Sequence, residues 1–254
     1  MKYIYILLII VTSISFSSHS TSSYNSLENR QERVISDLFD QLIEHQVNPS
    51  FAVERSVNAL LKRYPEQVDL VLKVALTKFP QEYRQIICGA LRAEPALTSD
   101  VISTLLQSNI ATSTDIVSIA ISEEPAYAKE IVQSAVSHYP EELDNIVRVA
   151  IQTEPMMADN IINNTMQSYP EKLLDILVIA VKTFPEQVTS FVKDTLRLSS
   201  DDSNVISVAV SSSHREKARD IISTAIESGI SLESATAAAI AGGAEANDLA
   251  RNSP

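Results

Sequence analysis

Residues 64–80 read YPEQVDLVLKVALTKFP and contain one complete unit of a repeat that runs through most of the chain. When the proline is counted as position 1, the apolar residues of each unit fall at positions 4, 7, 8, 11 and 12. This spacing places them on one stripe of an α-helix and does not fit a strand. Proline suits the first helical position, which needs no N–H donor, and it disfavours helix at the residue before it. Each unit therefore predicts one helix of about eleven residues followed by a short turn.

The regular return of the proline indicates a stack of such helices. It recurs every fifteen residues, at Pro65, Pro80, Pro95, Pro125, Pro140, Pro155, Pro170 and Pro185. Ile110 stands where one further proline is expected, and we predict that it opens a helix as well. A single unit buries too little apolar surface to fold alone, so neighbouring units have to pack together as in a solenoid. Position 11 is usually alanine, which predicts that the helices approach closely.

A second period of thirty residues lies within the first. From Pro95 onward, position 10 alternates between polar residues such as Thr104 and Ser134 and apolar residues such as Ile119 and Val149. The alternation predicts that position 10 is exposed to solvent (a wet flank) in one helix of each pair and buried in its partner. The predicted fold is therefore all-α. It is an α-solenoid of about six antiparallel helical hairpins, built from 15-residue helix–turn units in 30-residue pairs.

The chain divides into four predicted segments. Residues 1–20 resemble a secretory signal peptide, with Lys2, an apolar run from Tyr3 to Val11, and small serines after it. An uncleaved membrane anchor is the alternative, but the run is short for a membrane span. Residues 21–31 are predicted to form a flexible leader, residues 32–244 a single solenoid that begins with a helix from Glu32 to His45, and residues 245–254 a disordered tail. The protein is therefore expected to be exported, either periplasmic or secreted.

Composition bounds the classes of function. The formal net charge is −12, which argues against nucleic acid and anionic membranes as partners, and no stable membrane insertion is expected after signal cleavage. Cys88 is the single cysteine, and His45, His138 and His214 are not spaced like metal ligands. No serine or cysteine is recognisably matched to a histidine and an acid. We therefore predict no catalytic residue, no metal, no cofactor and no enzymatic activity.

Two sets of residues at position 15 are candidate interaction edges. Antiparallel helices begin alternately at opposite edges of a solenoid, so Glu94, Glu124 and Glu154 should line one edge. Phe79, Tyr139 and Tyr169 should line the other. We call these rows the glutamate edge and the aromatic edge. A purely structural interpretation competes with binding: each aromatic residue is followed four residues later by a large side chain, as in a hydrophobic staple. For the glutamates, the competing interpretation is a solvated row of charges.

Three functions are open at this point. The first is an exported, non-catalytic scaffold that mediates protein–protein interaction with an unidentified partner. The second is a structural subunit of a cell-surface or matrix assembly, which alanine-rich ends and stackable repeats favour. The third is an enzyme built on an α-toroid with the three edge glutamates as carboxylates. It is disfavoured because the chain has no tryptophan to stack on sugars.

Overall fold

The computed structural model describes residues 20–44 and 49–245, and every regular element within them is a helix. The α-helices are α1 Ser20–Glu44, α2 Pro49–Arg63, α3 Val68–Lys78, α4 Tyr83–Leu91, α5 Thr98–Gln107, α6 Ser113–Glu123, α7 Ala128–His138, α8 Leu143–Thr153, α9 Ala158–Ser168, α10 Leu173–Thr183, α11 Val188–Leu198, α12 Asp202–Ser212, α13 Ala218–Glu227 and α14 Leu232–Ala241.

Each of the eight prolines of the fifteen-residue series opens a single turn of 3₁₀-helix, and the α-helix begins three residues later, whereas Pro49 opens α2 directly. In the unit that starts at Pro65, the 3₁₀ turn covers Pro65–Gln67 and α3 covers the next 11 residues. Tyr64 has φ −135° and ψ 62°, outside the helical region, as expected for a residue that precedes proline. The amide of Phe79 donates to the Ala75 carbonyl at 2.8 Å and ends α3 just before the next proline. The prediction of one helix of about eleven residues per unit is confirmed.

The unit without a proline begins differently. Asn109 adopts a left-handed φ of 52° after the end of α5, and Ile110 lies in the turn. The side chain of Thr112 accepts a hydrogen bond from the Asp115 amide at 3.1 Å, and α6 begins at Ser113. The prediction that Ile110 opens a helix is therefore wrong. Without a proline to hold φ near the helical value, a threonine N-cap takes over the start of the helix.

The helices form two layers. Each helix packs against the next one and also against the second next, from α1 through α14. The odd-numbered helices therefore lie side by side in one layer and the even-numbered helices in the other. Short turns make successive helices antiparallel, so the helices of one layer run parallel. The predicted all-α solenoid is confirmed, and the fourteen described helices make seven pairs where about six were expected.

The core follows the predicted stripe. In the unit of Pro65 the residues Val68, Val71, Leu72, Ala75 and Leu76 are all buried. The position-11 alanines have at most 1% of their surface exposed: Ala75, Ala90, Ala120, Ala135, Ala150, Ala180, Ala209, Ala225 and Ala239. A small residue at this position lets the two layers approach closely, because a larger side chain would have to be accommodated by moving a helix.

Several pairs of neighbouring helices within a layer meet with an offset of 35 residues, whereas α3 meets α1 with an offset of 42 residues. The Ser134 hydroxyl donates to the Ser99 carbonyl at 3.3 Å, and Thr153 Oγ1 donates to Ser118 Oγ at 3.2 Å. Position 10 of a helix thus faces position 5 of the preceding helix in its layer, and position 14 faces position 9. The prediction of a wet flank at position 10 needs correction, since these polar side chains lie against a neighbouring helix and Thr224 is only 7% exposed.

The N-terminal boundary also needs correction. Helix α1 begins at Ser20, so residues 21–31 are helical and do not form the predicted flexible leader. No proline or glycine lies between residues 20 and 44 to interrupt the helix that was expected to start at Glu32. The predicted signal (except Ser20), the predicted helix end at His45 and the tail after Glu245 lie outside the described residues. Among the described helices, none is both long enough and apolar enough to cross a membrane.

Candidate interaction edges

The glutamate edge is a row at the starts of three adjacent parallel helices. Glu94, Glu124 and Glu154 precede the 3₁₀ turns that lead into α5, α7 and α9, which are neighbours in the odd layer. Glu94 is exposed, and the other two are half-buried. Within the described part of the chain, none of these three carboxylates makes a side-chain hydrogen bond or an ion pair. The three glutamates therefore lie at the starts of three adjacent helices of one layer, and whether they bind a partner stays a prediction.

Apolar residues accompany these glutamates, and the sequence reasoning overlooked them. The three turns read EPAL, EPAY and EPMM, whereas the turns of the other edge carry charged residues after the proline. Leu97, Tyr127 and Met157 pack partly against the core, while Met156 is 90% exposed. The signal that could have revealed them is the pair of residues after each proline. The glutamate edge thus combines carboxylates with one fully exposed thioether side chain.

The aromatic edge is at the opposite side, where the even-numbered helices begin. Its side chains are used inside the fold. The Phe79 ring lies 6.4 Å from that of Phe39, and the hydroxyls of Tyr139 and Tyr169 donate to the carbonyls of Leu106 and Gln133 at 3.2 and 3.3 Å. Phe79, Tyr139 and Tyr169 thus tie successive helices of the odd layer together. These contacts support the structural interpretation of the aromatic edge.

One cluster of ionisable groups joins three helices of the even layer. Arg92 at the end of α4 contacts the carboxylates of Glu54 in α2 and Glu123 in α6, including a 3.0 Å bond from Nη2 to Glu123 Oε2. Burial, followed by the charge of Glu123, raises the pKa of the nearby Cys88 thiol to about 11. A thiol with such a pKa stays protonated at neutral pH and is a poor nucleophile. The cluster is therefore a structural clamp. Sequence reasoning missed it because its members come from three different repeats.

The same offset of 35 residues brings a serine next to a histidine. Ser103 Oγ lies 3.3 Å from His138 Nε2, and His138 Nδ1 lies 3.2 Å from the Ser134 carbonyl. Gln107 shares the Nε2 atom at 3.4 Å. No carboxylate orients this histidine in the described contacts. The backbone amides around it belong to helix ladders, so the described residues form no oxyanion site beside it. In the described residues, no group of three or more histidine, cysteine, aspartate or glutamate side chains is placed to hold a metal ion.

The contacts divide the predicted site residues into two groups. Tyr139, Tyr169 and Phe79 are engaged within the fold, whereas Glu94, Glu124 and Glu154 form a row that the described fold leaves unengaged. Comparison with known proteins finds no matching family model, no matching curated protein and no matching solved structure.

Proposed function

We propose that this chain is an exported, non-catalytic helical-repeat scaffold that binds another protein along its glutamate edge. The observation that supports this proposal is the row of three unpaired carboxylates on adjacent helix starts, beside the exposed Met156. The aromatic residues of the opposite edge stabilise the stack, so the glutamates are the candidate residues that the fold itself does not use.

The spacing of the row suggests the chemistry of the partner. Packed helices lie about 8–10 Å apart, so successive glutamates follow one another at about that distance. A polyproline II segment rises about 3.1 Å per residue with three residues per turn, so every third side chain returns to the same face after about 9 Å. An extended segment with a lysine or arginine at every third residue would therefore place one cation opposite each glutamate. Apolar residues between the cations would contact Met156.

The test compares two double variants that remove the same charge. Glu124→Gln with Glu154→Gln changes the glutamate edge, and Glu141→Gln with Glu171→Gln changes exposed carboxylates at the opposite edge. Binding of a synthetic peptide of repeating Lys-Pro-Pro is measured by calorimetry, with a Glu-Pro-Pro peptide as the negative control. The proposal expects binding that weakens with salt and is lost only in the first double variant. Equal loss in both variants would mean that the peptide responds to overall charge, and the glutamate edge would be rejected.

Export is tested separately. The proposal rests on the Lys2 and Tyr3–Val11 pattern, so the mature protein isolated from its native cells should lack the first twenty residues or so. N-terminal sequencing of that protein decides the point. A mature chain that still begins at Met1 would contradict export by a cleaved signal.

A second candidate function is a structural subunit of a surface or matrix assembly. The observation that favours it is the exposure of large apolar residues at both ends of the solenoid. Sedimentation velocity over a range of concentrations tests it, because a subunit of this kind forms larger species as its concentration rises.

A further inference from the structure

The C-terminal end of the described solenoid leaves core positions open. Position 12 is at most 8% exposed in every unit from Leu76 to Leu196. The corresponding residues of the last two helices are Ile226 and Ile240, with exposures of 41% and 50%. Leu232, at position 4 of the last unit, is 64% exposed, although Leu143 and Leu173 at the same position are buried. These side chains are the ones that a following helix pair would cover.

The N-terminal end of the described solenoid leaves open the opposite face, which a preceding helix pair would cover. Lys78, at position 14, bonds to Ser36 at 2.8 Å, so the stagger of the layer makes Ser36 equivalent to position 9 and Val34 to position 7. Position 7 is at most 2% exposed from Val71 to Ala235, yet Val34 is 54% exposed. Beside it lies an open groove of about 330 Å³ that includes Leu38 and Leu70. Within the described residues, no helix pair precedes α1 to cover these side chains.

The even-layer helices of the two ends, α14 and α2, are also complementary in charge, whereas α1 carries five acidic and two basic residues. Residues 226–245 contain three glutamates and no lysine or arginine, and one of the three, Glu245, is bound to Arg215. Helix α2 presents an exposed stripe of Phe51, Arg55, Ala59 and Lys62, and its one acidic residue, Glu54, is bound to Arg92. If the 35-residue offset continues from α14 to the α2 helix of a second copy, position 5 of α14 faces position 10 of that α2. Glu233 then lies opposite Ala59, between Arg55 and Lys62.

We propose that the C-terminal end of one molecule docks on the N-terminal end of a second copy, so that α1 and α2 of that copy continue the solenoid after α14. The apolar residues Ile226, Leu232 and Ile240 then pack against α1 around Val34. This inference deepens the second candidate function and is independent of the glutamate edge. The contact is heterologous, with different surfaces on the two partners, so repeated docking builds an open chain or a ring.

The test uses one variant for each end. Val34→Glu blocks the N-terminal end and Ile240→Glu blocks the C-terminal end. Both side chains are about half exposed, so both variants should fold, which circular dichroism checks. Each variant alone should sediment as a monomer, because each copy retains only one competent end and association weakens roughly thirtyfold or more. When the two variants are mixed, the free end of one meets the free end of the other. The mixture should therefore form dimers and stop there.

A matched control separates this mechanism from non-specific aggregation. Met156→Glu changes an exposed apolar side chain in the middle of the solenoid and should leave assembly unchanged. The proposal is overturned if the unmodified protein remains monomeric up to roughly 100 μM. It is also overturned if either end variant assembles like the parent, or if the mixture gives no dimer. Should a chain that ends at Glu245 assemble while the full chain does not, residues 246–254 cover the end, and the proposal fails for the full chain.

Discussion

Replacing Gly89 by alanine should destabilise this protein, although the same change stabilises most helices. Gly89 lies at position 10 inside α4, and a Cβ atom built there would stand 2.4 Å from the Glu54 carbonyl oxygen of α2. An ordinary contact needs 3.4 Å or more, so α2 and α4 would have to separate by about 1 Å. Overpacking of this kind costs about 1–3 kcal/mol, and the better helix propensity of alanine returns about 1 kcal/mol. We expect a net loss of about 1 kcal/mol.

The assay is urea unfolding followed by circular dichroism, with the midpoint and slope compared to those of the parent. Ser137→Ala in α7 is the control, because Ser137 is exposed and alanine there gains helix propensity without meeting a neighbour. Its midpoint should equal or exceed that of the parent. A midpoint for Gly89→Ala at or above the parent value would refute the close approach of α2 and α4 on which the 35-residue offset depends.

Five other substitutions test the packing of the helices, the Cys88 thiol and the clamp formed by Arg92. Ala135→Leu, at a fully buried position 11, should cost about 1–3 kcal/mol by urea midpoint, whereas Ser137→Leu on the exposed face of the same helix should change stability by less than about 0.5 kcal/mol. Equal midpoints would contradict the buried stripe. Burial and then the charge of Glu123 raise the pKa of Cys88 to about 11. Iodoacetamide at pH 8 should therefore alkylate this thiol roughly a hundredfold more slowly than an ordinary cysteine, and Glu123→Gln should speed the reaction. As the pH rises, the thiol ionises first in the unfolded chain, so the free energy of unfolding should fall between about pH 9 and pH 11. The Cys88→Ala variant should not show this fall. A variant with the same pH profile as the parent would argue against the raised pKa of Cys88. Arg92→Ala should lower the free energy of unfolding by about 1 kcal/mol, measured from the urea midpoint, and a difference that does not depend on salt would argue against an ionic clamp.

Much of the fold followed from the sequence because its determinants are local. The return of proline and the stripe from Val68 to Leu76 each depend on residues within one unit, and together they predict the helix length and the buried face. The alternation of antiparallel helices then places Glu94 and Tyr139 at opposite edges without further information. The leader was mispredicted for the same reason: polar composition suggested an irregular segment, but nothing between residues 20 and 44 stops a helix.

The contacts between repeats could not be obtained in this way. The distance between Ser103 and His138, the bridge from Arg92 to Glu123, and the hydrogen bond from Tyr139 to Leu106 all join residues more than thirty positions apart. Which of these residues meet depends on how far one helix slides along its neighbour. A shift of one turn, about 5.4 Å, would preserve every buried stripe and exchange every one of these partners.

By itself, the sequence determined the helical unit, its length, its buried stripe and the order of residues along each edge, because these depend on backbone sterics and on a period of 3.6 residues within one helix. Only the tertiary structure decided the stagger between parallel helices. That stagger left Glu94, Glu124 and Glu154 unpaired, enclosed Cys88 with Glu123 and exposed Val34 and Ile240 at the two ends. Apolar stripes attract one another without direction, so many staggers bury them equally well. The fit of particular side chains, such as the bare Gly89 against the Glu54 carbonyl, selects one of them.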